Sequence, residues 1–179
     1  YLINLIIKLT NLNIKMGGGI LPIARHDGEI YLLFSRERII YNNDRERGLW
    51  SDFGGSKEGN ETQYRTAVRE GYEESSGILG DKKHIRNLMK NHLVGKVKDK
   101  KYCIWVVEVE YNPHIINLFH KHFQEMVKTK PHIVKAHNGL YEKDKIKWIK
   151  LSSLNRYKKQ FRPWYFKEYV PKIIDLLKK

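Results

Sequence analysis

The chain has 179 residues, with 34 Lys plus Arg against 20 Asp plus Glu, a formal charge of +14 at neutral pH. That length suits one domain and excludes a second of comparable size, and 41% hydrophobic residues are too many for a disordered chain. A single cysteine, Cys103, excludes an internal disulfide framework and a Cys-rich zinc module, so a reducing, cytoplasmic setting is expected.

No apolar run approaches the ~20 residues that span a bilayer, so no membrane partner is expected. The positive charge concerns partners rather than fold. It suits a polyanion: a nucleic acid, a nucleotide or an inositol polyphosphate. Abundant Ile (19) and scarce Ala (3) also fit an A/T-rich coding bias, which would supply lysines without any site.

Residues 1–15 are apolar with interspersed Asn and Lys, lack an A-x-A cleavage pattern and precede Met16. They are expected to be an N-terminal extension, either non-native sequence or an added strand or helix, with 16–179 as the domain. Gly19 to Ala24 reads as a strand, His26-Asp27-Gly28 as a tight turn and Glu29 to Ser35 as the returning strand. Arg36 to Gly48 is a charged loop, and Leu49 to Phe53 leads into Gly54-Gly55. Glu61 to Ser76 has helical spacing and no proline, with Gly77 and Gly80 ending it.

Leu93 to Val97 and Tyr102 to Tyr111 read as strands around a charged turn. Residues 113–137 look like an insertion: an amphipathic helix from Pro113 to Lys128, then a basic loop from Thr129 to Asn138. Lys145 to Leu151 alternates as a short strand. Ser152-Ser153-Leu154 opens a turn or short helix. A last helix reaches Leu177, interrupted by Pro171. The sum is a mixed α/β chain, with helices on a largely mixed sheet rather than a βαβαβ array.

The informative helix carries Glu70, Glu73 and Glu74 at i, i+3 and i+4, so the three carboxylates share one face. Like charges at that spacing repel, and in the local sequence only Arg69 offsets them. A hard divalent cation with oxygen ligands, Mg²⁺ or Mn²⁺, resolves the repulsion and can bridge to substrate phosphates. Taken alone, the pattern is also that of a solvated acidic face.

The wider context is more specific. Gly55, five residues, Glu61, seven residues, Arg69-Glu70, then Glu73-Glu74 closely resembles the Nudix box. The preceding hairpin, Trp50 before Gly54-Gly55, and Glu142 ahead of Trp148 extend the resemblance over about residues 17–151. Three positions depart from the pattern. Gly71 replaces an aliphatic residue. Ser76 holds the closing glycine slot, with Gly77 one residue late, as if the helix were one residue longer. Phe53 stands where many members have proline.

The resemblance implies an αβα sandwich with a loop-helix-loop metal site and hydrolysis of a nucleoside diphosphate linked to another group. It implies Mg²⁺ or Mn²⁺ held by Glu70, Glu73, Glu74 and the Gly55 carbonyl. Arg69 would orient the carboxylates and Glu61 would support the loop. Glu73, Glu74, Arg69 and Glu142 are the expected catalytic residues, with Glu142 a candidate general base.

Arg36, Arg38 and Lys57 are expected to contact phosphate, since guanidinium groups suit bidentate binding. Trp50 either stacks on a base or belongs to the core. His120-x-His122 lacks a third ligand at a supporting spacing and is not expected to bind metal. Lys121, Lys128, Lys130 and Lys135 could track an RNA backbone. Arg156 to Lys167 interleaves basic and aromatic residues, as does a single-strand platform or a packed terminal helix.

The expected function is a Mg²⁺-dependent pyrophosphohydrolase acting on a nucleoside diphosphate-linked or polyphosphate substrate, with capped RNA among the fits. The alternative is a non-catalytic module of the same fold that binds RNA or nucleotides. Dimerisation is left open.

Overall fold

The structure, a computed structural model, describes residues 16–42, 44–136 and 139–179. The expectations for residues 1–15 and for the end of the basic loop (137–138) lie outside the described residues.

Among the described residues seven strands form one mixed sheet. Strand β1 (Gly17–His26) is its centre. It pairs in parallel with β6 (Tyr102–Glu108), and β6 pairs antiparallel with β5 (Leu93–Lys98). The other edge of β1 is shared. Its second half meets β2 (Glu29–Glu37), and its first half meets β4 (Phe53–Ser56), both antiparallel. Strand β2 continues antiparallel to β3 (Trp50–Ser51) and to β7 (Lys143–Lys150). The tight turn predicted at His26-Asp27-Gly28 is present, with Asp27 and Gly28 both at positive φ.

Helices cover both faces. On one side lie α1 (Gln63–Glu74), α2 (Lys82–Asn91) and α3 (His114–Thr129), packed on Ile20, Leu33, Phe53, Trp105 and Val107. On the other, a 3₁₀ helix (Leu151–Gln160) leads into α5 (Pro163–Glu168) and α6 (Val170–Leu177), packed on Leu21, Ile23, Phe34, Ile104 and Val106. Alternate residues of β1 and β6 therefore enter opposite cores, as the period of two requires.

Several expectations need correction. Residues 131–135, expected in a loop, form the short helix α4 (Pro131–Lys135), with Pro131 in its first turn. Helix α2 was not predicted, although Asp81 accepts from His84 N–H at 2.7 Å as its N-cap and Ile85, Leu88 and Met89 form its buried stripe. The C-terminal segment breaks into two helices at Tyr169, just before Pro171. Helix α1 is not lengthened. It ends at Glu74 with Ser75 as C-cap, and Ser76 itself takes the left-handed conformation at φ +50°.

Gly71 has a packing reason. A Cβ there would come within 2.8 Å of Ile20 Cγ2, so α1 lies closer to β1 than an aliphatic residue would permit.

Candidate active site

The site forms where β4 turns away from β1 and α1 lies across it. Gly54 and Gly55 permit the close approach. A Cβ on Gly55 would sit 2.5 Å from Glu70 Oε1, and one on Gly54 would sit 2.0 Å from Tyr102 Oη. Any larger residue would push the carboxylate or the tyrosine away.

Arg69 organises the acidic face. Its Nε and Nη2 donate to Glu61 Oε1 and Oε2 at 3.0 and 3.1 Å, and Nη2 also donates to the Ser56 carbonyl at 2.9 Å. Nη1 bridges Glu70 Oε1 at 2.9 Å and Glu73 Oε2 at 3.1 Å. These bonds hold the Glu61 carboxyl below its ordinary range and raise the Arg69 guanidinium against the opposing effect of burial.

Glu74 faces inward. Its Oε2 accepts from Gly54 N–H at 2.7 Å, and its Oε1 lies 3.0 Å from Lys143 Nζ. Lys143, fully buried, also donates to Glu37, which Arg162 meets in turn. Burial alone would lower the Lys143 ammonium, but Glu37 and Glu74 outweigh it and raise it. Burial alone would raise Glu37, but Lys143 and Arg162 hold it low. Glu74 is left under-compensated: burial pushes it well above the carboxylate range, opposed by Lys143 and reinforced by Glu70 and Glu37. Burial likewise pushes Glu70 up to about 7 against the pull of Arg69.

Lys143 was absent from the sequence-based site. A β-bulge explains why. Arg36 pairs with Lys145 but Glu37 pairs with Lys143, so Asp144 is the extra residue. Simple alternation puts Lys143 and Lys145 on one face, whereas the bulge turns Lys143 inward and leaves Lys145 exposed.

The other expected residues divide. Glu142 and Lys57 line a cleft of about 770 Å³ with Gly55, Arg69, Glu70 and Glu74. Neither the Glu142 nor the Lys57 side chain forms an ion pair among the described residues. Arg36 is held by Asp144 in a bidentate pair at 2.8 and 2.9 Å. Arg38 lines the cleft but is 2% exposed, donating to the carbonyls of Val134 and Tyr141. Trp50 lies in the core, 7% exposed, where its carbonyl accepts from Arg162 N–H.

Exposed aromatics near the cleft are instead Tyr41, in its wall, and Trp164 beside it. Trp164 lines a second cavity of about 610 Å³ with Tyr102, Tyr169, Lys101 and Glu168. Gly54, Gly55 and Ser56 belong to the walls of both spaces. Trp164 Nε1 donates to Glu46 at 2.8 Å, which fixes the ring.

Among the described residues no three His, Cys, Asp or Glu side chains converge as a ready metal site. The donor chemistry nonetheless fits a hard cation. One guanidinium, Arg69, bonds the three carboxylates of Glu61, Glu70 and Glu73, and Glu70 Oε2 accepts no hydrogen bond among the described residues. The His120 and His122 pair does not add to this. Nδ1 of His120 is buried without a hydrogen-bond partner among the described residues, and His122 Nε2 meets Tyr141 Oη at 3.3 Å.

No family model matches the chain, and no curated protein matches it in sequence. Solved structures do align. A Nudix hydrolase from M. smegmatis, RenU, superposes with a TM-score of 0.52 at 13% identity, over 92% of this chain and 87% of that one. A bifunctional NMN adenylyltransferase/ADP ribose pyrophosphatase from Francisella tularensis, complexed with AMP and a manganese ion, gives 0.54 at 14% identity, over 99% of this chain and 46% of that one.

The fold is that of the Nudix hydrolases. At such identities the likeness concerns the Nudix fold alone, and the carboxylate helix of this chain has to be judged on its own geometry. No helix among the described residues is long and apolar enough to cross a membrane.

Proposed function

We propose that this chain is a divalent-metal-dependent pyrophosphohydrolase that cleaves a phosphoanhydride bond in a nucleoside diphosphate-linked or polyphosphate substrate. The observation that carries this reading is the convergence of the Glu70 and Glu73 carboxylates on one Arg69 nitrogen, with Glu70 on the helix wall of a solvent-open cleft. Buried carboxylates held above their ordinary range favour either a proton or a cation. The neighbouring backbone of Gly54 to Ser56 leaves room for a polyphosphate.

A bound Mg²⁺ or Mn²⁺ supplies charge neutralisation at phosphoryl oxygens and lowers the pKa of a water. Glu70 and Glu73 would hold the ion, with Gly55 against the Glu70 carboxylate, and Glu74 backs them from the buried side. Arg69 keeps Glu70 and Glu73 oriented through its fixed attachment to Glu61 and Ser56. Lys57 places a positive charge at the phosphates. Glu142, in the same cleft, accepts the proton of the attacking water.

Trp164 supplies an aromatic face for the base of a nucleotide whose phosphates enter the cleft, with the Glu168 carboxylate available to exocyclic amino groups. The AMP and manganese in the F. tularensis protein are compatible with such an occupant.

The test is a hydrolysis panel of capped RNA, dinucleoside polyphosphates, diphosphoinositols, ADP-ribose and deoxynucleoside triphosphates, with Mg²⁺, Mn²⁺ or EDTA. Metal-dependent turnover of at least one member is expected. Binding without turnover throughout would give the alternative of a binding module. A steep loss of RNA affinity with salt would favour capped RNA over a small nucleotide.

A further inference from the structure

Glu74 has both carboxylate oxygens engaged. Oε2 accepts from Gly54 N–H at 2.7 Å, and Oε1 meets Lys143 Nζ at 3.0 Å. The side chain is only 4% exposed, so solvent scarcely reaches it. Lys143 is equally fixed. Its side chain has no exposure, and it bonds to Glu37 as well as to Glu74. Arg162 meets Glu37 from the other side and pairs with Glu46 at 3.0 Å. The charges thus alternate from α1 to the start of α5: Glu74, Lys143, Glu37, Arg162, Glu46.

A divalent ion at Glu74 would have to displace a buried ammonium and leave it beside a second cation. Removing one member of a buried charge pair is strongly unfavourable. Glu70 and Glu73 are different. Both share one guanidinium nitrogen, Arg69 Nη1, at 2.9 and 3.1 Å, and Glu73 has in addition only the half-exposed Lys82 ammonium at 4.0 Å. Arg69 keeps its bonds to Glu61 and Ser56 through Nε and Nη2 when Nη1 releases them.

We propose that Lys143 is a resident cation of this site: its ammonium occupies the Glu74 side of the acidic cluster and confines the divalent ion to Glu70 and Glu73. This rests on the hydrolase reading above and narrows it. Lys143 acts here as a positioning residue. It holds Glu74 against Gly54 and so fixes the end of α1 relative to the glycine turn. The chain accordingly takes one ion in the absence of substrate.

The experiment is a Mn²⁺ titration followed by electron paramagnetic resonance, on the full chain without nucleotide. The wild type is expected to bind one ion. Glu74→Gln should retain it with affinity within about threefold, because Lys143 still has Glu37. Glu70→Gln should weaken it by at least about tenfold. Lys143→Met, which frees Glu74 while Glu37 keeps Arg162, should bind a second ion.

Circular dichroism checks that each variant is folded. Should Lys143→Met fail to fold, the contrast between Glu74→Gln and Glu70→Gln decides. Two ions on the wild type, loss of the ion in Glu74→Gln, or a folded Lys143→Met with a single ion each overturn the inference while leaving the hydrolase reading intact. No Mn²⁺ on the wild type overturns both.

Discussion

The ammonium of Lys143 lies 3.0 Å from Glu74 Oε1, joining the last turn of the carboxylate helix to the first residue of β7 beneath the cleft. Because the same ammonium also holds Glu37, truncation would strand the buried Glu74 carboxylate and leave Glu37 to Arg162 alone. Lys143→Ala is expected to lower stability by about 3–5 kcal/mol, the usual loss when a buried pair is broken from one side. Urea unfolding measures it, and a change below about 1 kcal/mol would show that the network is not stabilising.

The end of α1 gives a pair of opposite substitutions. Ser76 holds a left-handed conformation that glycine adopts without penalty, so Ser76→Gly is expected to stabilise by about 1 kcal/mol. Gly71→Ala improves helix propensity by ~1 kcal/mol but drives a Cβ against Ile20, so a net loss of about 1–2 kcal/mol is expected. Thermal unfolding should move the two variants in opposite directions.

The two tryptophans should separate stability from binding. Trp50→Ala removes a core ring and is expected to cost about 3–5 kcal/mol. Trp164 is 39% exposed, and Trp164→Ala should cost far less stability while weakening nucleotide affinity about tenfold, as loss of one stacking partner does. Unchanged nucleotide affinity in Trp164→Ala would remove the aromatic face from the substrate site.

Asp52 makes stability depend on pH. Burial pushes its carboxyl up to about 7 from 3.8, against the pull of Lys143 and of the Tyr102 hydroxyl. In that window the folded chain keeps a proton that the unfolded chain releases, so stability falls as pH rises. Asp52→Asn abolishes this loss. The variant should match wild type near pH 4 and exceed it by about 2–4 kcal/mol at pH 8. Parallel stability curves across this range would contradict the assignment.

Much of the architecture was legible. The hairpin turn at Asp27-Gly28, the carboxylate helix and the amphipathic α3 each follow from local periodicity or turn chemistry. Asp81 and the Ile85, Leu88, Met89 stripe carried a readable signal for α2 that the charged surroundings obscured. The inward turn of Lys143 was not readable, because it depends on a bulge at Asp144 that alternation cannot reveal. The engagement of Arg36 and Arg38 was hidden too. Their partners, Asp144 and the Val134 and Tyr141 carbonyls, lie far along the chain. Glu70 was singled out by its helical spacing, Gly55 and Glu142 by the resemblance and Lys57 by its charge, and all four line one cleft, whereas the exposed aromatics near it are Tyr41 and Trp164 rather than Trp50.

The most direct test of the central claim, a cation gripped by the carboxylate helix during phosphoanhydride cleavage, is the Mn²⁺-dependent rate of phosphate release by wild type and by Glu70→Gln on the best substrate of the panel. The account predicts turnover by wild type that EDTA abolishes, and a loss of more than about 100-fold in the variant. Equal rates in the two proteins, or turnover by wild type that survives EDTA, would contradict it.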